Sequence, residues 1–250
     1  MMTFRNYVRV QSLEEAYTLN QSRRNKVIGG MVWLKMTKLN LNTAIDLCDL
    51  HLDTIEETDT EFSIGCMTSL RQLELHKGLD TYTCGAFKKA VQDIVGVQFR
   101  NCATIGGSVY GRFGFSDVLT VLLSMDCAVE LYKGGIVPLE EFAAMKRDND
   151  ILIRIIIKKT PAKFSYEAMR AQRTDFPALA VAASTLGKLV VGARPMKAIV
   201  LPFEGRDPAA IAAYAAETVP TAKNLRGSKE YRTHLVNVLT RRALEALYGN

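Results

Sequence analysis

The sequence contains no Walker-A pattern, no G-x-G-x-x-G, no G-x-S-x-G and no H-E-x-x-H. These absences exclude the common phosphate loop, the dinucleotide turn of doubly wound sheets, the serine-hydrolase elbow and the helical zinc proteases. Histidine is scarce: His51, His76 and His234 stand apart, and no two have metal-ligand spacing. The five cysteines, Cys48, Cys66, Cys84, Cys102 and Cys127, form no C-x-x-C pair and are odd in number. That is the pattern of reduced thiols, not of a disulfide framework. No run approaches the ~18 apolar residues of a membrane span. Met1–Tyr7 lacks the apolar core and cleavage site of a signal peptide, so a cytoplasmic protein is expected. Catalysis by a side-chain nucleophile has no motif to rest on; chemistry is expected from a bound cofactor.

Acidic charge is outweighed: Lys and Arg number 32 against 26 Asp and Glu, a net +6. The basic residues are nevertheless scattered, with only short pairs such as Arg23-Arg24 and Lys88-Lys89. Nucleic-acid arms show denser blocks, so a solvated surface with a few phosphate contacts is the better account, and no nucleic-acid partner is expected. A 48% hydrophobic and 23% charged composition over 250 residues fits one large globular domain or two to three small ones.

Ser12-Leu13-Glu14-Glu15 is a capping-box pattern that opens a helix. Lys26–Ile28 and Thr43–Leu47 read as strands, which gives a β-α-β lobe over 1–57. A hairpin (Thr54–Thr58 with Glu61–Cys66) leads into a second lobe over 58–160, which holds helices from Ser69 and over Ala86–Val95 and a hairpin around Lys133-Gly134-Gly135. Ile151–Ile157 is the strongest strand. Over 161–250, Phe164–Met169, Ala178–Leu186 and Leu189–Ala193 predict a three-stranded antiparallel sheet. Asp207-Pro208 then starts one helix, and Ser228 caps another with the inner stripe Leu235, Val238, Leu239, Ala243 and Leu247.

Two places carry paired glycines after an apolar run. Asn25–Ile28 ends at Gly29-Gly30, and the β-branched run from Phe99 through Thr104-Ile105 reads as a strand stopping at Gly106-Gly107. Paired glycines permit φ > 0 and leave no Cβ in the way, so bare N–H groups can reach a phosphate. Two such loops suit the two ends of one extended dinucleotide. Thr104 offers phosphate a hydroxyl, or is an ordinary strand residue. Asp117 accepts from a ribose, or caps the helix opening at Val118. Tyr110, Phe113 and Phe115 cover a planar ring, or anchor their loop. Trp33 lines the same site, or fills core.

The run Arg100–Ser108 with Ser116-Asp117, the Val27–Gly30 loop, Arg173–Pro177 and Leu225–Arg232 occur in order and together resemble the flavin-binding medium subunit of molybdenum hydroxylases, the xanthine dehydrogenase and carbon monoxide dehydrogenase group. The resemblance implies an α+β fold: a two-lobed FAD-binding region of the molybdopterin dehydrogenase (PCMH-like) type, followed by the small C-terminal α+β domain. It implies an oxidoreductase subunit that holds extended FAD, with Ile28, Gly29, Gly30, Ala103, Thr104, Gly106 and Gly107 at the pyrophosphate and Asp117 at the sugar. Met31, Val32, Trp33, Ser108, Tyr110 and Gly111 belong to the same loops, and Leu152 lies near the ring. Relatives usually carry polar residues where Met31, Val32 and Trp33 stand, asparagine at Ser108, and in some cases lysine at Glu167. The resemblance further implies electron transfer between a [2Fe-2S] small subunit and NAD or another acceptor, with substrate oxidised on a molybdopterin-binding large subunit. No catalytic side chain or metal ligand is expected on this chain. The alternative is a structural or assembly subunit of the same fold that has lost tight flavin binding.

Overall fold

The computed structural model describes residues Met1–Gly249. In chain order its elements are β1 (Thr3–Arg9), α1 (Leu13–Asn20), β2 (Asn25–Ile28), β3 (Asn40–Asp46), β4 (Ile55–Glu57), β5 (Glu61–Gly65), α2 (Leu70–Leu75), α3 (Lys77–Tyr82), α4 (Ala86–Val91), α5 (Val97–Cys102), α6 (Ile105–Tyr110) and α7 (Asp117–Leu123). There follow β6 (Cys127–Leu131), β7 (Gly135–Pro138), α8 (Leu139–Ala144), β8 (Leu152–Lys158), β9 (Phe164–Met169), β10 (Leu179–Ser184), β11 (Lys188–Gly192), β12 (Ile199–Pro202), α9 (Pro208–Thr218) and α10 (Lys229–Tyr248). They divide into two compact units: Met1–Gln72 with Val97–Tyr110 and Cys127–Ile157, and Leu73–Gly96 with Gly111–Asp126 and the chain from Lys158 onward. No helix among the described residues is long and apolar enough to cross a membrane.

The first unit holds two sheets. In one, β3 lies between β1 and β2 and runs parallel to both. Helix α1 makes the crossover from β1 to β2, and its capping box forms as the sequence predicts. Ser12 Oγ accepts from the Glu15 N–H at 3.1 Å, and Glu15 Oε2 accepts from the Gln11 N–H at 2.8 Å. Strand β1 has no counterpart in the sequence reading; it is an edge strand exposed along most of its length, so it lacks the alternation that marks a half-buried strand. The other sheet is β4-β5-β8-β6-β7, and both expected hairpins are present in it.

The second unit is built on an antiparallel sheet of order β12-β11-β10-β9. It has four strands where the sequence suggests three, because β12 is only four residues long. Strand β10 is buried at all six positions, since both faces of the sheet are covered. Leu179, Val181 and Ala183 pack with α9 and α10 through Ile211, Leu235, Leu239 and Leu247. Helix α7, buried at every residue, lies against the sheet so closely that a Cβ on Gly192 would come within 2.2 Å of Thr120 Oγ1. The inner stripe of α10 includes Val236 and Leu244, whereas Val238 is only half-buried. Both predicted caps form: Asp207 Oδ1 accepts from the Ala209 N–H at 2.9 Å, and Ser228 Oγ from the Tyr231 N–H at 3.1 Å.

Candidate functional site

Strand β2 ends on the buried Ile28 and delivers Gly29 and Gly30 onto the segment Cys102–Thr104, within the first unit. A Cβ on Gly30 would lie 1.6 Å from the Cys102 carbonyl oxygen, and one on Gly29 would lie 2.7 Å from Thr104 Oγ1. The two glycine motifs therefore meet. None of Gly29, Gly30, Gly106 and Gly107 has positive φ, contrary to the conformational freedom the sequence suggested. What the pair requires is close approach. The left-handed residue is instead Met31, with φ 54°, a conformation that costs a non-glycine residue energy and gathers at ligand sites. Among the described residues, the N–H groups of Gly30, Met31 and Val32 donate no hydrogen bond. Trp33 follows them and is 42% exposed, so it does not fill core.

The second motif differs from its expected form. Residues 97–110 are not a strand and turn but two short helices, α5 and α6, and Gly106-Gly107 lies inside α6. The amides expected to be bare are engaged. Ile105 N–H donates to Thr68 O at 2.9 Å, Gly106 N–H to Cys66 O at 2.8 Å and Ser108 N–H to Thr104 O at 3.2 Å. Gly107 N–H donates to Thr104 Oγ1 at 3.1 Å. Gly106 is buried because a Cβ there would lie 2.6 Å from the Cys66 carbonyl oxygen. Gly107 is exposed, and a Cβ there would meet only Thr104 Oγ1, at 3.3 Å. Thr104 is thus neither a strand residue nor an idle one: its oxygen stands between Gly29 and Gly107, and its hydroxyl hydrogen is available to an acceptor. Ala103 is buried beside it. The residues present fit a diphosphate: the first loop brings unspent amides, and the second brings shape and a hydroxyl.

Other expected residues are positioned by internal contacts. Ser108 Oγ donates to Thr104 O at 3.0 Å. The Tyr110 hydroxyl donates to the Asp148 carbonyl at 2.8 Å and lies 3.1 Å from the Asp150 carbonyl, holding the turn that leads into Leu152, which is buried. Its ring packs on Phe142, with centroids 6.1 Å apart. Phe113 stacks on Phe115 at 5.1 Å, and Phe115 meets Phe176 edge-on at 4.8 Å, so these rings anchor their loop.

Gly111 and Asp117 belong to the second unit. Asp117 does not cap α7; Ser116 does, its Oγ accepting from the Leu119 N–H at 3.1 Å. Asp117 is the first helical residue. Its Oδ1 takes a bond from the Tyr166 hydroxyl and another from Arg170 Nη2 at 2.7 Å. Burial pushes the Asp117 carboxyl up, opposed by the Arg170 charge and the Tyr166 bond. Burial, with the Asp117 charge behind it, drives the Tyr166 hydroxyl well above its ordinary value. Tyr166 and Arg170 were not among the expected site residues; the only signal was that Arg170 precedes the Arg173–Pro177 motif. Among the described residues no cluster of His, Cys, Asp and Glu could hold a metal ion.

A model of the family described as "FAD binding domain in molybdopterin dehydrogenase" matches residues 2–159, and the chain belongs to that family. FAD is accordingly the cofactor of the domain. Along 244 residues the chain is 24% identical to the uncharacterized protein YgfM of Escherichia coli strain K12, covering 93% of this chain and 92% of that protein. Its fold matches reconstituted CO dehydrogenase from Oligotropha carboxidovorans with a TM-score of 0.86 at 22% identity, over 99% of this chain and 98% of that one. It also matches quinoline 2-oxidoreductase from Pseudomonas putida 86 with a TM-score of 0.84 at 15% identity, over 98% of this chain and 96% of that one. At these identities the likeness is one of fold.

Proposed function

We propose that the chain is the FAD-bearing electron-transfer subunit of a multi-subunit molybdenum hydroxylase, working between a [2Fe-2S] small subunit and NAD or another acceptor. Substrate oxidation takes place on a molybdopterin-binding large subunit. The lobes 1–57 and 58–160 carry the cofactor, and 161–250 completes the subunit. FAD, when bound, would supply the conversion between two-electron and one-electron transfer that joins a pyridine nucleotide to an iron–sulfur centre. The protein's part is to bind, orient and shield. Ile28, Gly29, Gly30, Met31 and Val32 present main-chain amides to the diphosphate, with Trp33 beside them. Ala103, Thr104, Gly106, Gly107 and Ser108 supply the opposing wall, and Asp117 takes the sugar. Leu152, set by the turn that Tyr110 holds, lies toward the ring, with Gly111 at the end of the same segment.

The observation carrying this reading is the contact of Gly30 with the Cys102 carbonyl beside three undonated amides. Side chains are excluded from the Gly30–Cys102 contact, while the neighbouring amides, on exposed and half-buried residues, keep their hydrogen-bonding capacity for a ligand. The purified chain is expected to show the bands of oxidised flavin near about 450 nm. A colourless protein that takes up no added FAD would refute it.

A second reading, an assembly subunit without tight flavin binding, is favoured by one feature: the amides of Gly106 and Gly107 already donate within the protein. The same spectrum separates the two.

A further inference from the structure

Residues 113–117 are held by a closed circuit of contacts, all inside the second unit. Tyr166 and Arg170 both donate to Asp117 Oδ1, the latter at 2.7 Å. The other terminal nitrogen of that guanidinium, Arg170 Nη1, donates to the Asp175 carbonyl at 2.7 Å. The Asp175 carboxylate accepts two bonds from Arg226, at 2.7 Å and 3.1 Å. The Arg226 guanidinium lies over the Phe176 ring, 5.0 Å from its centroid, and Phe176 abuts Phe115. Phe115 stands two residues before Asp117, which closes the circuit.

We infer that Tyr166 and Arg170, steadied by Asp175 and Arg226, are positioning residues that fix the orientation and the ionised state of Asp117 for the sugar hydroxyls of FAD. This rests on the assignment of Asp117 to the sugar made above. An ionised carboxylate offers both oxygens purely as acceptors, whereas the protonated form turns one of them into a donor, and burial works against the ionised state. Both donors end on one oxygen, so the second is left clear of them. The Arg170 and Asp117 side chains are 8% and 6% exposed. An ion pair so buried returns little net stability after desolvation, so orientation explains it better than strength does.

Several other charges on neighbouring elements have partners of their own: Arg194 donates to the Lys197 and Pro220 carbonyls at 2.8 Å and 2.7 Å, while the Asp93 carboxylate adds its negative charge to the field at Arg170. Lys89 on α4 pairs with Glu167 on β9 at 2.5 Å, and Lys88 lies 3.9 Å from Asp80. Lys188 on β11 donates to the Met125 carbonyl at 3.2 Å, and Asp93 pairs with Arg173 at 2.7 Å.

The test titrates FAD into the flavin-stripped full chain from about pH 5 to about pH 9, following flavin fluorescence, with a thermal melt of each variant. Tyr166→Phe deletes one hydroxyl. It is expected to bind FAD about tenfold more weakly and to lose binding at a higher pH than wild type, since Asp117 then keeps its proton further up the scale. Arg170→Lys keeps a cation beside Asp117, so its acid limb should stay nearer to wild type than that of Arg170→Met. A Tyr166→Phe protein with lowered melting temperature but unchanged affinity and acid limb would reduce the circuit to scaffolding and overturn the inference. If wild type binds FAD and Asp117→Asn binds it equally well over the whole range, the inference falls with the sugar assignment. Failure of wild type itself to take FAD is a separate result, and it removes the flavin reading. Should Arg170→Met not fold, Tyr166→Phe still decides.

Discussion

Gly30 faces Cys102 at a distance that leaves no room for a side chain: a Cβ on the glycine would sit 1.6 Å from the carbonyl oxygen. Gly30→Ala must therefore push two backbone segments apart. Overpacking against backbone of this kind costs about 3 kcal/mol or more, read as a lowered urea midpoint together with loss of flavin. Gly107→Val is the contrast, because Gly107 is exposed and its only near neighbour is Thr104 Oγ1 at 3.3 Å. That variant is expected to fold, yet to lose the absorbance near about 450 nm, since a branched side chain would stand over the wall assigned to the phosphates.

Arg232 is fully buried, and its partners are carbonyls and an amide. It donates to Ala178 O at 2.8 Å, Ala222 O at 2.9 Å, Gly227 O at 2.5 Å and Asn224 Oδ1 at 2.6 Å. Arg232→Met leaves the buried Ala178 carbonyl without its donor and releases the partly exposed acceptors of Ala222, Asn224 and Gly227, a loss of about 1–3 kcal/mol. Lysine lacks the planar fork and cannot reach the same set, so Arg232→Lys should recover only part of the loss in equilibrium unfolding.

The hydrogen bonds from Arg226 hold the Asp175 carboxyl below its ordinary value. A group depressed in the folded state stabilises above the unfolded pKa, about 4 for an aspartate, and that gain disappears as pH falls through the lower folded value. Wild type and Arg226→Met should therefore melt apart at neutral pH and converge under acid. The gap is expected to stay below about 1 kcal/mol, because the pair is partly solvated.

Burial pushes the Cys66 thiol up to about 12, so it stays protonated and unreactive at neutral pH. Cys127 is buried as well, whereas Cys48, Cys84 and Cys102 are exposed. Iodoacetamide should add to the latter three in the native protein and reach Cys66 and Cys127 only after denaturation, which intact mass resolves.

Elements whose signals are local were legible in the sequence: the Ser12, Asp207 and Ser228 caps, the hairpin at Lys133–Gly135, and β8 between its acidic flank and Pro161. The segment 97–110 was not. Thr104 and Ile105 favour a strand, and two glycines weigh against a helix by about 1 kcal/mol each, yet tertiary contacts prevail. Ile105, Gly106 and Val109 are buried, and Gly106 is the residue that lets the Cys66 carbonyl come close. At the candidate site, the shared glycine pattern pointed to one ligand held by both loops at its two ends, whereas their direct contact arises only from the fold. Which amides remained undonated was not legible either, because Gly106 and Gly107 find their acceptors in Cys66 and Thr104 only once the chain has folded. Asp117 stands in a motif the sequence displays, but Tyr166 and Arg170, which donate to it, lie some fifty residues further on, beyond the reach of any spacing rule.

The match to the family ends at residue 159, whereas the second unit draws on Leu73–Gly96 and Gly111–Asp126 as well as on everything after Lys158. A polypeptide stopped at that family boundary would keep Leu79, Phe87 and Val121, each wholly buried in the intact chain, and discard β9–β12 with α10. Those two stretches would then carry greasy surfaces with nothing to close upon, so a version cut at residue 159 should clump when expressed.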